Sequence, residues 1–260
     1  MVDKYNTAIC LVANFKYLYK HFPRIYQQLR TKGNYSGEIV VITNMICPSI
    51  FIKFLRRKNN VTILRFRKII FNKEAEEALS SLSAVPNRHL TKNFQWQKLY
   101  LFHNKIKKWK YIFYMDINMN IHHDINPILS IKPNKKLFAR ADGFPDYKWK
   151  LKTQFDKNHS KYNDLYKKYN LEITNYFQTG VIFFDTSIVK NNTLSEIKLL
   201  VQKFPISITN EQGILNLYFI FEKNQYEQLI DFLNGQLSYF YWKKSDQEVI
   251  ITKALTEKNR

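Results

Sequence analysis

One continuous apolar run and two further strand-like runs, separated by stretches with helical spacing, constrain this chain most. They are residues 7–13 (TAICLVA), 38–43 (EIVVIT) and 61–66 (VTILRF). Strands that read as unbroken apolar runs are buried on both faces, as in parallel sheets covered by helices. Between the first two runs, Phe15, Leu18, Tyr19, Phe22, Ile25, Tyr26 and Leu29 recur at three- and four-residue steps. Pro23 kinks or splits that helix, and Lys32-Gly33-Asn34 stops it. Residues 49–57 read as a second helix. This βαβαβ alternation predicts an α/β, Rossmann-like fold with a mainly parallel central sheet flanked by helices.

The pattern continues. A fourth strand, 111–115 (YIFYM), ends at Asp116, and further strands are predicted at 137–140, 181–184 and 249–252. Helices are predicted at 94–108, 193–204 and 211–221. Residues 144–176 are polar, charged and Tyr-rich, and read as a mobile, lid-like insertion. No repeat or Gly/Ser linker divides the chain, so residues 1–260 read as one domain.

Composition excludes several classes. With 45% hydrophobic and 16% aromatic residues a full core is available, which rules out global disorder. Cys10 and Cys47 sit in apolar runs, as buried free thiols do, and no zinc-type Cys/His spacing exists. No apolar run approaches the ~20 residues of a membrane span, and the N-terminal one is too short for a signal sequence. A soluble, cytoplasmic protein without a transmembrane anchor is expected.

The 41 basic residues against 21 acidic ones give a net charge of +20, a field that attracts anions. A nucleic-acid-binding protein is one alternative this raises. However, 32 of the basic residues are Lys and 9 are Arg, whereas phosphate and base readers favour the Arg fork. Lys, Ile and Asn also share AT-rich codons, so part of the charge reflects coding composition. No recognisable nucleic-acid reader motif is present, and no specific nucleic-acid partner is expected.

The chemistry concentrates around Asp116-Ile117-Asn118. In open α/β sheets ligands bind at the carboxyl ends of strands. Side chains two apart on an extended chain face the same side. An Asp-x-Asn pair there can present two oxygens to one cation or one ribose. Four other motifs flank it in order: Leu11-Val12-Ala13-Asn14-Phe15-Lys16-Tyr17, Lys98 within FQWQKLYLF, Gln178-Thr179-Gly180 before VIFFD, and Glu211-Gln212-Gly213-Ile214-Leu215-Asn216.

These five motifs resemble the nucleotide-sugar-dependent glycosyltransferases of the GT-A fold, especially the glycogenin-like family 8, over about residues 7–220. The segments FQWQK and YMDINMNIHHDINPIL also resemble glycosyltransferases of large DNA viruses, which implies a host cytoplasm or virion. The resemblance implies a single GT-A domain that moves a hexose from a UDP-sugar to a hydroxyl of a protein or glycan acceptor, with retention.

It also implies roles for individual residues. Ala13, Asn14 and Tyr17 meet the base and ribose, and Lys98 reaches the phosphates. Asp116 holds ribose or metal, and Asn118 holds metal or diphosphate. Asp142 and Gln178 meet the donor sugar, and Glu211 and Gln212 lie at the anomeric carbon. Two departures stand out. Asn118 occupies the place of the family's second Asp, and no His follows His159. Manganese or magnesium on Asp116 and Asn118 is one expectation. Lys253, just after the final strand, supplying the charge in place of a metal is the other. An inactive nucleotide-sugar-binding scaffold is the remaining alternative.

Overall fold

The computed structural model describes residues 6–82, 93–142, 148–240 and 248–253. The three runs form β1 (Thr7–Val12), β2 (Ile39–Asn44) and β3 (Val61–Phe66), with α1 (Phe15–Arg30) and α2 (Ser49–Arg56) between them. Along β1 the side chains of Ala8, Cys10 and Val12 enter one core cluster and those of Ile9 and Leu11 the other. This two-residue period explains the unbroken apolar run, since each face of the strand is covered. Helix α1 passes through Pro23 without a break; Leu18, Phe22, Ile25 and Leu29 anchor its buried face.

After α3 (Lys73–Ser81) come β4 (Tyr111–Met115), β5 (Met119–Ile121), α4 (Asn126–Leu129), β6 (Leu137–Ala141), α5 (Tyr162–Lys168), β7 (Phe177–Asp185), α6 (Thr193–Lys203), α7 (Glu211–Asn216) and β8 (Tyr226–Gln228). The main sheet has the order β3-β2-β1-β4-β7-β6-β8. Strands β1 to β4 pair in parallel, whereas β7 runs antiparallel to both β4 and β6. The first residues of β7 therefore lie at the edge where β1 and β4 end. Strands β9 (Phe232–Leu233), β10 (Gln236–Phe240) and β11 (Val249–Lys253) join β5 in a second sheet, order β5-β11-β10-β9. Both cysteines are buried and free. No helix among the described residues is long and apolar enough to cross a membrane.

Three sequence expectations need correction. The helix predicted over 94–108 is two 3-10 segments, Asn93–Phe102 and Asn104–Lys108, separated at His103. The His103 ring accepts the Lys105 amide at 3.1 Å and caps the second segment. The helix predicted over 211–221 is α7 followed by a π-helical turn, Leu217–Glu222. The described part of the lid-like 144–176 is seated rather than free, because Leu151, Phe155, Leu165, Tyr169, Leu171 and Tyr176 all enter the main core. Lys150 and Phe155 also make β-bridges to Asn175 and Ser207. Residues 144–147 of that prediction lie outside the described residues.

Candidate active site

The strand order reverses direction between β1 and β4, and open α/β sheets bind ligands at such a point. A cleft of about 670 Å³ opens there. Lining it are Ala13, Asn14, Tyr17, Lys98, Asp116, Asn118, Asp142, Gln178, Thr179, Glu211, Gln212 and Lys253. Residues from widely separated parts of the sequence thus share one cavity. Ala13 and Asn14 follow β1. The Asn14 side chain accepts the Tyr17 amide at 3.0 Å and caps α1, which fixes the Tyr17 ring, 48% exposed, at the rim. Asp116 ends β4, and its amide donates to the Gly180 carbonyl at 2.8 Å. Gln178, Thr179 and Gly180 belong to β7 itself, which begins at Phe177, ahead of the strand predicted at 181–184. A Cβ on Gly180 would lie 2.6 Å from the Tyr239 hydroxyl and 2.9 Å from Met119 Cε, so a larger residue here would force those two side-chain ends of the second sheet to shift.

Four charged side chains interlock at the cleft floor. Lys98, only 7% exposed, lies 3.1 Å from Asp116 Oδ1 and 2.8 Å from Glu211 Oε1. Its ammonium also donates to the Thr179 carbonyl at 3.3 Å. Lys253 Nζ lies 3.1 Å from Asp116 Oδ2, carried there by β11, whose Lys253 pairs with Met119 on β5. The Tyr114 hydroxyl donates to Asp116 Oδ1 at 2.5 Å. Burial alone would raise the Asp116 carboxyl; the Lys98 and Lys253 ammoniums and the Tyr114 hydroxyl outweigh it and hold the carboxyl far below the usual carboxylate range. Burial likewise opposes charge on Lys98, yet the Asp116 and Glu211 carboxylates keep its ammonium above its ordinary value. Both therefore stay ionised at neutral pH.

Glu211 and Gln212 open α7, which is clamped to β7. The Asn216 side chain accepts the Phe177 amide at 2.7 Å and donates to the Phe177 carbonyl at 2.9 Å. Glu211 Oε1 accepts from Thr179 Oγ1 at 3.0 Å, while its Oε2 is buried without a hydrogen-bond partner among the described residues. Gln212 Oε1 accepts the Thr179 amide at 3.0 Å, and its Nε2 donates to Gln154 Oε1 at 2.8 Å. On the far wall, Asp142 accepts from Gln178 Nε2 at 2.7 Å and from the Tyr176 hydroxyl. Gln154, Tyr176 and Tyr114 were not anticipated. The first two sit in the segment read as a lid, and Tyr114 in a strand read as plain core. The apolar Leu151 and Phe155 on either side of Gln154 are the signal that could have placed it.

A divalent cation is poorly matched to this donor set. Hard cations take several oxygen ligands. Here both oxygens of Asp116 already accept from ammonium groups. Asn118 adds only a neutral amide, and no group of three His, Cys, Asp or Glu among the described residues could hold a metal. His122 lies against Thr252, at 2.8 Å, and does not line the cleft.

The fold is that of the GT-A glycosyltransferases. Solved structures similar to it include an active-site mutant of LgtC (TM-score 0.64, 13% identity, 95% of this chain and 86% of that one). The bifunctional glycosyltransferase WbbM gives a TM-score of 0.60 at 14% identity over 99% of this chain and 47% of that one. The mannosyltransferase Ktr4p from S. cerevisiae, in complex with GDP, gives 0.55 at 12% identity, covering 87% and 69%. No family model matches the chain, and no curated protein sequence matches it.

Proposed function

We propose that this protein is a glycosyltransferase that moves a hexose from a UDP-sugar to a hydroxyl of a protein or glycan acceptor, with retention and without a metal ion. The observation that carries the reading is the Lys98–Asp116–Lys253 chain of charges at the reversal point of the sheet. A departing nucleoside diphosphate develops negative charge, which two fixed ammonium groups can stabilise in a site sheltered from water. LgtC, a galactosyltransferase of similar fold, has been solved in complex with donor and acceptor sugar analogues.

In this reading Tyr17 stacks on the base at the rim, and Ala13 and Asn14 border the base and ribose. Asn118 faces the diphosphate. Asp142, oriented by Tyr176 and Gln178, accepts hydrogen bonds from sugar hydroxyls. Glu211 and Gln212 lie at the anomeric carbon. The bond from the anomeric carbon to the phosphate oxygen breaks, the bond to the acceptor oxygen forms on the same face, and the acceptor proton passes to the leaving phosphate. Glu211 Oε1 is held by Lys98 and Thr179, so it favours stabilising the positive sugar over forming a covalent intermediate.

A thermal-shift comparison tests the donor. UDP at 100 times its dissociation constant is expected to stabilise the protein by ~2.7 kcal/mol, a rise in Tm on the order of 5–10 °C. GDP and CMP are expected to do much less. Equal shifts with all three would mean plain attraction of anions to a basic protein, and the uridine assignment would fall. A larger shift with GDP would move the donor to the class held by Ktr4p.

A further inference from the structure

The first turns of α1 and α2, with the loop before α2, carry an apolar cap that the transferase reading does not use. Ile46 is 86% exposed, Ile50 79% and Tyr19 70%, and Phe15, Met45 and Phe54 are exposed as well. The aromatic members are contiguous. Phe15 meets Phe51 at 5.1 Å between ring centroids, Tyr19 meets Phe51 at 6.3 Å and Phe51 stacks on Phe54 at 5.9 Å. Single exposed apolar residues are ordinary on a protein surface; a joined cluster rimmed by charge marks an interaction site.

The rim has one sign. Residues 6–73 contain 13 Lys and Arg and a single acidic residue, Glu38. Glu38 sits at the opposite end of β2 from the cap and accepts from Trp109 Nε1 at 2.6 Å. Lys16, Lys20, Lys53, Arg56 and Arg57 are exposed beside the cap, and Lys58 lies 5.3 Å from the Phe54 ring centroid. Large apolar and aromatic side chains surrounded by Lys and Arg match the surface of a bilayer bearing anionic lipids. The apolar tips enter the headgroup boundary and the cations meet phosphate and carboxylate.

We infer that this cap docks the protein on an anionic membrane surface. The proposal rests on the cap alone and stands whether or not the cleft transfers sugars. Its geometry adds one consequence. Asn14 and Tyr17 of the cleft rim share the first turn of α1 with Phe15, so a docked protein holds the cleft mouth close to the lipid headgroups.

Flotation with vesicles of phosphatidylcholine plus phosphatidylserine, against phosphatidylcholine alone, tests it. Wild-type protein is expected to float with the mixed vesicles and not with the neutral ones. The double variant Ile46→Asn/Ile50→Asn should lose at least about 10-fold in partitioning, and Lys53→Gln/Arg57→Gln about 30-fold. Both pairs are exposed, and unchanged circular dichroism would verify the fold. The control Lys107→Gln/Lys203→Gln removes the same charge from the other side of the sheet and should stay within about twofold, because salt screens beyond ~10 Å. Equal loss in the control, or no flotation with mixed vesicles, would overturn the proposal. So would a lipid-free dimer that Ile46→Asn/Ile50→Asn dissociates, which would make the cap a contact between two copies.

Discussion

Replacing Lys98 with Met is expected to destabilise the protein by about 3–5 kcal/mol, the usual effect of leaving buried charge without its partner. The change removes one ammonium from between two carboxylates, Asp116 at 3.1 Å and Glu211 at 2.8 Å. Lys253 still reaches Asp116, but among the described residues Glu211 is left with the Thr179 hydroxyl alone. A fall in Tm on the order of 10 °C should accompany it.

The pH dependence distinguishes this account from simple loss of packing. In the wild type, the Asp116 carboxyl titrates below its ordinary 3.8. Its contribution to stability is therefore present above that value and is lost as pH falls through the lower, folded one. Lys98 titrates above its ordinary 10.5, so its contribution is full below that value and lost as pH rises through the folded one. Between about pH 5 and 9 the cluster's contribution is flat. In Lys98→Met the sign on the acid side reverses. Asp116 keeps Lys253 and Tyr114, but the Glu211 carboxylate, buried and without its ammonium, takes up a proton on folding, and stability rises as pH drops from 7 to 5. A denaturation series over that range that shows the same slope as wild type would contradict the assignment.

The second large effect is on turnover. Lys253→Ala is expected to lower sugar transfer about 10–100-fold, since charge-assisted contacts contribute ~1.5–3 kcal/mol each. Asp116→Ala should lower it by about 100-fold or more, because both ammonium groups then lose the carboxylate that aims them. EDTA should leave most wild-type activity in place. Activity abolished by EDTA and restored by manganese would put a cation on Asp116 and Asn118 and return Lys253 to a bystander.

How much of this was legible in the sequence depends on the range of the signal. Strands β1, β2 and β4 were readable because burial on both faces demands an apolar run within the strand itself. The edge strand β3, by contrast, buries only Ile63 and Phe66 and carries Thr62 and Arg65 between apolar residues. The 3-10 form of Asn93–Phe102 was not readable. Trp96, Gln97, Lys98 and Leu99 are all buried, so the segment has no solvent face to set a helical period. Tyr169 and Tyr176 looked like solvated loop residues because their partners are distant in sequence. Tyr169 donates to Glu222 and Tyr176 to Asp142. The cleft residues stood out by type and order, yet nothing local joins Lys253 to Asp116. That contact exists because β11 pairs with β5, a three-residue strand too short to read in sequence.

The pairing of β11 with β5 also imposes a timetable. Lys253 follows Asp116 by 137 residues. At the ~5–20 residues per second of ribosomal synthesis, roughly 7–27 s separate the emergence of the two. Throughout that interval a nascent chain can already own β1 to β4, Lys98 and Asp116, while one of the two ammonium groups beside the cleft's carboxylate does not yet exist. The charge cluster at the cleft floor is therefore complete only once β11 has been made and has paired with β5.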